Sequence, residues 1–308
     1  MNGRRPRRRG ARLNRRLRPY YYIAPALIFL TVLMAFPLFE GLRLSFTDTN
    51  MLNPRGGSYV GMENYAELAT DEKFRRTLRI TLVYTVLCVV GAVGCGLLAA
   101  LGMNVMVGRV SRRLRGVVII PWAAPIIPVA LVSAWILDNE LGVLNWALKA
   151  VGAIDEHVYW LGNEKTAMPA IIAVTVWRIF PFSAIVLLAA LQGVPKDLYE
   201  AAQIDGASRF ARFRNITVPS IMPTMSILVL FVTIWSLRRF DLIWVLTEGG
   251  PLRSTTTLVI DLYHSAFRVS ELGYASAIGV VGFVLSTIVT AVYFYVQNRA
   301  ERKRSHVS

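Results

Sequence analysis

The sequence predicts an all-α integral membrane protein with six transmembrane helices. Hydrophobic residues make up 55% of its 308 residues, charged residues only 17%, and the mean hydropathy is +0.47. This composition is typical of a chain that lies in a bilayer rather than in water. Long apolar runs recur along the chain, and each approaches the roughly 20 residues that a helix needs to cross the hydrocarbon layer.

The N-terminal region predicts a basic tail followed by the first span. Residues 1–18 contain nine arginines and no acidic residue, so we expect residues 1–19 to form a solvated basic tail. The apolar run 20–39 then has the length of a membrane-spanning helix. A cleaved signal peptide is the alternative, but the run is longer than a typical signal core and contains Pro25 and Pro37. We favour an uncleaved span.

Five further spans complete a predicted membrane domain over residues 20–298. They cover residues 77–106, 117–137, 168–191, 221–246 and 274–296. The third of the six contains Pro121, Pro125 and Pro128. Helix breakers at membrane depth are tolerated where neighbours or trapped water satisfy the freed carbonyl groups. We therefore expect the third span to line a cavity.

The segments between the spans are more polar. We expect exposed loops at 47–76 and 138–167, a basic loop at 108–116, a longer loop at 193–220 and a polar stretch at 247–270. Within 138–167, residues 143–151 form an amphipathic piece that suits the membrane interface. A short C-terminal tail at 299–308 follows the last span.

Positive charge is concentrated in alternate segments. Both tails, the basic loop 108–116 and the loop 193–220 together hold 21 Lys and Arg, whereas the other three loops hold eight. By the positive-inside rule, both termini and the loop 193–220 are cytoplasmic. The net charge of +15 is then a topology signal, helped by anionic membrane lipid, and it requires no nucleic acid as a partner.

The chain lacks the motifs of an enzyme. It contains no Gly-x-x-x-x-Gly-Lys-Ser/Thr loop, no Gly-x-Ser-x-Gly elbow and no His-Glu-x-x-His pair. Cys88 and Cys95 lie seven residues apart on one helix, about 10 Å along its axis and beyond disulfide reach. The three histidines lack ligand spacing. We expect no catalysis, no cofactor and no metal site in this chain.

Ionisable residues inside the spans predict a polar site. Arg178 lies in the fourth span, and Arg238, Arg239 and Asp241 lie in the fifth. Such groups usually face a cavity, although an Arg–Asp pair between helices or an outward-reaching Arg is an equally good interpretation. The aromatic residues beside them are Trp177, Phe180, Phe182, Trp235, Phe240 and Trp244. Flat apolar faces next to hydrogen-bonding groups suit a sugar ring.

The loop 193–220 contains a compact polar motif. Pro195 suits the start of a short helix, and Asp197 complements the positive end of its dipole. Gly206 ends that helix, and Ala201 and Ala202 leave one side nearly bare. This pattern predicts a docking element, and an ordinary helical hairpin between two spans is the alternative.

This motif also carries a resemblance to a known family. Residues 200–207 read EAAQIDGA and are followed by Phe213, Ile216 and Pro219. The segment resembles the cytoplasmic signature loop of permease subunits in binding-protein-dependent ABC importers, and in particular the carbohydrate permeases of the MalF and SugA type. Other matching pieces are SFT at 45–47, VG at 60–61, NY at 64–65, LQGVP at 191–195, LTEGGP at 246–251, Asp241 and AF at 266–267.

The resemblance implies an architecture and a set of partners. It implies the six-helix permease architecture of type I ABC importers in a bacterial-type inner membrane. The expected partners are a second homologous permease, two cytoplasmic ATPase subunits and an extracytoplasmic solute-binding protein. The residues that would dock on the ATPase are Glu200, Ala201, Ala202, Asp205 and Gly206.

The resemblance also implies where the cargo passes. In related sugar permeases, helices equivalent to the fourth and fifth spans contact substrate near the middle of the membrane. The corresponding residues are Arg178, Phe182, Arg238, Arg239 and Asp241. We expect a di- or oligosaccharide such as maltose or trehalose, and glycerol-3-phosphate is an alternative that would use the arginines.

Two other classes of function remain as alternatives. An ion-coupled carrier could use Asp241 or Glu40 as its coupling carboxylate, but carriers are usually built from two related helical repeats, and the sequence has no internal repeat. A structural or assembly factor would leave the arginines within the spans without a role.

Overall fold

The computed structural model describes residues 10–54, 56–106 and 109–305, and these residues are mostly helical. The helices are α1 Gly10–Leu44, α2 Glu63–Thr70, α3 Glu72–Val105, α4 Arg109–Val118, α5 Ile120–Ala123, α6 Ile126–Ile136, α7 Val143–Ala150, α8 Glu164–Gln192, α9 Lys196–Ile204, α10 Arg209–Arg212, α11 Val218–Leu237, α12 Asp241–Thr247, α13 Leu258–Tyr263 and α14 Leu272–Ser305. Two short π-helical segments, Phe213–Thr217 and His264–Arg268, lie between α10 and α11 and after α13.

Among the described residues, five helical stretches are long and apolar enough to cross a membrane. They are Tyr20–Leu44, Glu72–Val105, Glu164–Gln192, Arg209–Leu237 and Leu272–Arg299. A sixth span is formed if the bent pair Arg113–Ala123 and Ile126–Ile136 counts as one, and its two halves meet at 92°. The prediction of an all-α membrane protein is confirmed, and the third of the six spans is broken.

The break in the third span has a local cause. Ala124 and Pro125 are both extended, with ψ of 142° and 140°. A residue before proline is driven away from the helical region, and proline itself cannot donate the next helical hydrogen bond. Pro125 therefore ends α5 and opens α6 in a new direction.

The fifth span begins and ends earlier than predicted. We placed it at 221–246, but α11 ends at Leu237 and α12 starts at Asp241. Arg238 follows α11 with φ −102° and ψ 12°, outside the regular helix. The apolar run continues past this point, so hydropathy alone carried the predicted span through two arginines that end the helix.

Close packing of α3 against α8 forms the centre of the fold. A Cβ atom added to Gly91 would lie 2.6 Å from the Val176 side chain, and one added to Gly96 would lie 2.5 Å from Cβ of Ser183. These glycines therefore let the two backbones approach closely, as small residues do between membrane helices. Leu187, Ile221 and Leu228 are among the buried residues that join α11 to this core.

The first span lies at the edge of the molecule. α1 packs against α14, and the most apolar window of Tyr20–Leu44 is 0% buried within this chain. α1 begins at Gly10, so the second half of the predicted basic tail is helical, and residues 1–9 lie outside the described residues. At the other end, α14 continues the last span through Ser305.

Two predicted loops contain more structure than expected. The described part of the basic segment 108–116 belongs to α4. The segment 47–76 contains α2, whose Asn64 is buried and donates hydrogen bonds of 2.9 Å to the carbonyl groups of both Ser45 and Thr47. A buried side chain that satisfies two backbone carbonyls fixes a loop as firmly as a packed helix does.

The segment between α6 and α8 is organised by one buried amide. The helix predicted at 143–151 is present as α7, and its Asn145 is 0% exposed. The Asn145 side chain donates to the carbonyl of Val158 at 3.1 Å and accepts from the indole N–H of Trp160 at 2.9 Å. Just before α7, backbone N–H groups of Leu141 and Glu140 donate to Asp138 and hold the pKa of that carboxyl below its usual range.

Candidate functional site

The helix α9 forms the first candidate site, and its end depends on one glycine. Gly206 has φ +75°, and its N–H donates to the carbonyl of Gln203 at 3.1 Å. The next N–H, of Ala207, donates to the carbonyl of Ala202 at 2.9 Å. A Cβ atom at Gly206 would meet nothing within 4 Å, so the backbone conformation and not space requires glycine there. The predicted stop at Gly206 is therefore present.

One face of α9 is attached to the membrane helices. The Tyr199 hydroxyl hydrogen-bonds the Thr217 hydroxyl at 2.9 Å, and Arg212 donates to the side chain of Gln203 at 3.3 Å. Val194, just before α9, is buried in the same core as Leu191 at the end of α8. The loop is thus fixed between the ends of α8 and α11.

The opposite face of α9 is open. Glu200, Ala201, Asp205 and Gly206 are exposed, and Ala202 is half-buried. Ile204 is 87% exposed and Phe210 is 70% exposed. Small residues, a carboxylate and large apolar side chains on one rigid turn form a surface suited to a protein partner.

The second candidate site lies at the break of the third span, where aromatic rings from three helices meet. Trp122 of α5 stacks on Phe182 of α8 with ring centroids 5.1 Å apart and planes 20° apart. Phe182 also contacts Trp235 of α11 at 5.4 Å, and Trp235 stacks on Phe231 at 6.0 Å. We call Trp122, Phe182, Trp235 and Phe231 the aromatic cluster.

Arg178 lies one helical turn before Phe182, and it reaches the break itself. Its Nη2 atom donates to the carbonyl of Ala124 at 3.3 Å. This carbonyl lies at the end of α5, and its regular helical donor would be the N–H of residue 128, which is a proline and has none. The buried Nε atom of Arg178 has no hydrogen-bond partner among the described residues.

Arg239 and Asp241 lie near Arg178 and complete the charged part of this site. The charges of both residues act on the Arg178 guanidinium. Arg239 is half-buried, and its buried Nε atom also has no partner among the described residues, whereas Asp241 is exposed. Among the described residues, the ion pairs involve neither Arg178 nor Arg239 nor Asp241. The Arg–Asp ion pair that we considered from the sequence is therefore not formed among the described residues.

Arg238 is directed elsewhere. It is exposed and lines a groove of about 790 Å³ together with residues of α1, α13 and α14, including Met34, Leu262 and Phe283. Of the five residues predicted for the cargo pathway, Arg178 and Phe182 therefore lie one turn apart on α8, Arg239 and Asp241 lie within electrostatic range of Arg178, and Arg238 lines a separate groove.

The other aromatic residues singled out in the sequence belong to different surroundings. Trp177 is 49% exposed on α8. Phe240 and Trp244 stack on each other at 5.4 Å and contact Tyr263. Arg268 lies 5.6 Å above the Trp244 ring and pairs with Glu248. These rings hold together the segment that follows α11.

Sequence reasoning missed Trp122 and the Ala124 carbonyl. Both come from the third span, for which we predicted only a cavity-lining role. The available signal was the pair of prolines, Pro121 and Pro125, on either side of Trp122. A proline on each side indicates irregular backbone, and irregular backbone at membrane depth occurs where it is buried in protein or lines a cavity.

Comparison with known proteins gives consistent matches over most of the chain. The family described as binding-protein-dependent transport system inner membrane component matches residues 92–302. The chain is 36% identical to the trehalose/maltose transport system permease protein MalF of Thermococcus litoralis, covering 90% of this chain and 92% of the relative. It is also 36% identical to the sulfoquinovosyl glycerol transport system permease protein SmoG of Agrobacterium fabrum, covering 91% of this chain and 90% of the relative.

A solved structure supports the fold. A chain of a bacterial ABC transporter for import of the acidic polysaccharide alginate matches with a TM-score of 0.80 and 24% identity. The match covers 94% of this chain and 98% of that one. At this sequence identity, the structural similarity establishes the fold alone. The predicted permease architecture of type I ABC importers is confirmed.

Proposed function

Because the chain belongs to the family of inner membrane components of binding-protein-dependent transport systems, and two of its relatives are sugar permeases, we propose that it forms half of the translocation pathway for ATP-driven import of a di- or oligosaccharide. The chain is a multi-pass permease of an ABC sugar importer and not an enzyme. Hydrolysis of ATP is assigned to partner subunits, since the sequence contains no phosphate-binding loop.

The assembly that we propose contains four kinds of partner. A second, homologous permease covers exposed apolar surface such as that of α1, and two ATPase subunits lie on the side of α9. A solute-binding protein delivers the cargo from the other side, and membrane lipid surrounds the helices. The concentration of Lys and Arg in the tails and in the loop 193–220 supports a cytoplasmic position for both termini and for α9.

The observation that carries this proposal is the two-sided construction of α9. Its open face presents Glu200, Ala201, Ala202, Asp205 and Gly206 to the ATPase. Its inner face is attached to α11 through Tyr199 and Thr217. When the ATPase subunits close, movement of α9 is transmitted to α8 and α11 as rigid elements.

The same two helices carry the proposed cargo contacts. Phe182 of α8 and Trp235 of α11 belong to the aromatic cluster, and Arg178 lies one turn away. A shift of α8 relative to α11 therefore opens or closes a stacking surface for a sugar ring. Arg239 and Asp241 supply hydrogen-bonding groups beside it.

The identity of the sugar is the finer part of the proposal. Trehalose and maltose, which are named for one relative, are the first cargoes to test, and another relative is named for sulfoquinovosyl glycerol. Glycerol-3-phosphate is the second candidate, because Arg178 and Arg239 could bind a phosphate. An ion-coupled carrier is the weaker alternative.

The test is uptake by the complete importer in proteoliposomes. Labelled maltose, trehalose and glycerol-3-phosphate are offered with the solute-binding protein outside and ATP inside. We expect uptake of at least one of them to require both ATP and the binding protein, and an imposed ion gradient alone to drive none. Uptake that follows the ion gradient without ATP would contradict the proposal.

A further inference from the structure

The site at the broken span contains two arginines that form no ion pair among the described residues. Arg178 and Arg239 take part in none of the ion pairs of the described residues. Each has a buried Nε–H without an acceptor there, and the only hydrogen bond assigned to the Arg178 side chain is the 3.3 Å contact with Ala124. An arginine side chain carries five N–H donors, so most of the donors of Arg178 are unused.

Two unpaired arginine side chains at this site raise the free energy of the folded protein unless a negative charge neutralises them. Ionisable side chains at membrane depth are costly, and two like charges close together add mutual repulsion. Asp241 is an acidic side chain within electrostatic range of Arg178, and it is exposed. The two guanidinium groups and this carboxylate leave a net positive charge beside the aromatic cluster.

The position of Arg178 on α8 places its positive charge near the aromatic ring of Phe182. Arg178 and Phe182 are four residues apart on α8 and therefore lie on the same face of the helix. A sugar ring that stacks on Phe182 places one of its substituents about one helical turn away, at the Arg178 guanidinium. Both arginines are partly exposed, so their outer N–H groups remain accessible to such a substituent.

We infer that the cargo is an acidic saccharide, whose carboxylate, sulfonate or phosphate is bound by Arg178 and Arg239 while its ring stacks on Phe182. This inference rests on the proposed function and narrows its substrate class. The anion supplies the direct ion pair that these arginines lack among the described residues, and charge-assisted hydrogen bonds to arginine favour it over a neutral hydroxyl.

The experiment compares two sugars that differ in one group. Labelled maltose and a maltose derivative with one C6 hydroxymethyl group oxidised to a carboxylate are offered to the complete importer in proteoliposomes with ATP. The affinity of the solute-binding protein for each sugar is measured separately and divided out, so that the acid-to-neutral uptake ratio reports the permease. The variants are Arg178→Gln, Arg239→Gln and Arg178→Lys, with Arg238→Gln as the charge-matched control in the other groove.

We expect the acid-to-neutral ratio to exceed one in the wild type and to fall about tenfold or more in Arg178→Gln and in Arg239→Gln, because each loses a hydrogen bond to a charged group. Arg178→Lys should keep part of the ratio, and Arg238→Gln should keep all of it. Basal ATPase activity confirms that each variant assembles.

Two results would overturn the inference. One is a wild-type importer that takes up maltose as well as or better than the acid, and the other is a ratio that stays unchanged in Arg178→Gln and Arg239→Gln. Either result would mean that another group, such as a carboxylate of the partner permease, neutralises the arginines. Absence of ATP-dependent uptake for every sugar would be a different failure, that of the proposed function, and would remove the inference with it.

Discussion

The helix α9 and the break between α5 and α6 are both places where the chain interrupts its membrane spans, and they differ in what surrounds them. α9 has no buried residue, and its open face is exposed. At the break, Phe182 of α8 packs on Trp122, which is 38% exposed within this chain, and Trp235 of α11 packs on Phe182. One interruption presents an open polar face, and the other meets the aromatic side chains of two long helices.

This difference assigns a separate task to each region. A surface without internal partners can bind another subunit without disturbing the fold, whereas a partly exposed site that combines rings and unpaired cations can select a small molecule. Because α8 and α11 belong to both regions, they are the elements that would transmit movement between them under the proposed function. We expect substitutions in α9 to change coupling, and substitutions at the break to change the cargo.

The largest expected effect is that of Gly206→Pro. Proline cannot adopt φ +75° and lacks the N–H that donates to Gln203, so the end of α9 must change direction. We expect uptake to fall about a hundredfold while membrane insertion is retained. Gly206→Ala should have a smaller effect, and Gly193→Ala is its matched control, because Gly193 has φ −81°. Wild-type uptake by Gly206→Pro would remove α9 from the coupling mechanism.

A charge reversal on the open face comes next. Glu200→Lys leaves the fold intact because Glu200 is exposed, but it presents the wrong charge to the ATPase. We expect ATP-dependent uptake to fall about tenfold or more, measured together with binding of the ATPase subunits. The matched control is Asp155→Lys, which makes the same change in net charge at an exposed site between α7 and α8. An equal loss in both variants would contradict a local role for Glu200.

Phe182→Leu tests the aromatic cluster at the break of the third span, again with a matched control. It removes ring contacts with Trp122 and Trp235, each of which contributes about 1 kcal/mol. We expect sugar uptake to fall about fivefold to tenfold at low sugar concentration. Trp177→Leu removes an exposed ring from the same helix and should have little effect. If Trp177→Leu were the more harmful of the two, the aromatic cluster would not be the cargo site.

The smallest effect concerns the connection between the two regions. Tyr199→Phe removes the 2.9 Å hydrogen bond to Thr217, which contributes about 1 kcal/mol. We expect ATP-dependent uptake to fall a fewfold, roughly threefold to fivefold. Thr217→Val should give a similar loss, and the double variant should be no worse than either single one. Fully additive losses would show that the two residues act independently.

The regions also differ in how far the sequence predicted them. The α9 loop was predicted almost completely, because its start, its exposed face and its turn depend on neighbouring residues. Pro195 precedes the helix, and Gly206 follows it with the positive φ that glycine favours. The buried attachment of Tyr199 to Thr217 was not predicted, since no local signal relates residues 18 positions apart.

The site at the break was predicted only in part. Prolines in the third span indicated irregular backbone, but not the 92° bend that brings Trp122 onto Phe182. Arg238 and Arg239 are adjacent in sequence, and hydropathy treated both as part of one continuous span. The helix in fact ends at Leu237, so the two side chains point to different surroundings. Tertiary packing, and not local pattern, decides which of them joins Arg178.

The most direct test of the separate roles of α9 and the broken span is the amount of ATP hydrolysed per sugar imported. It is measured in proteoliposomes for Gly206→Pro and Phe182→Leu. We expect Gly206→Pro to hydrolyse ATP without importing sugar in proportion, so that the ratio rises well above that of the wild type. Phe182→Leu should lower hydrolysis and import together and leave the ratio unchanged. The opposite pattern, with the ratio altered by Phe182→Leu and preserved in Gly206→Pro, would contradict the assignment of coupling to α9 and of cargo to the broken span.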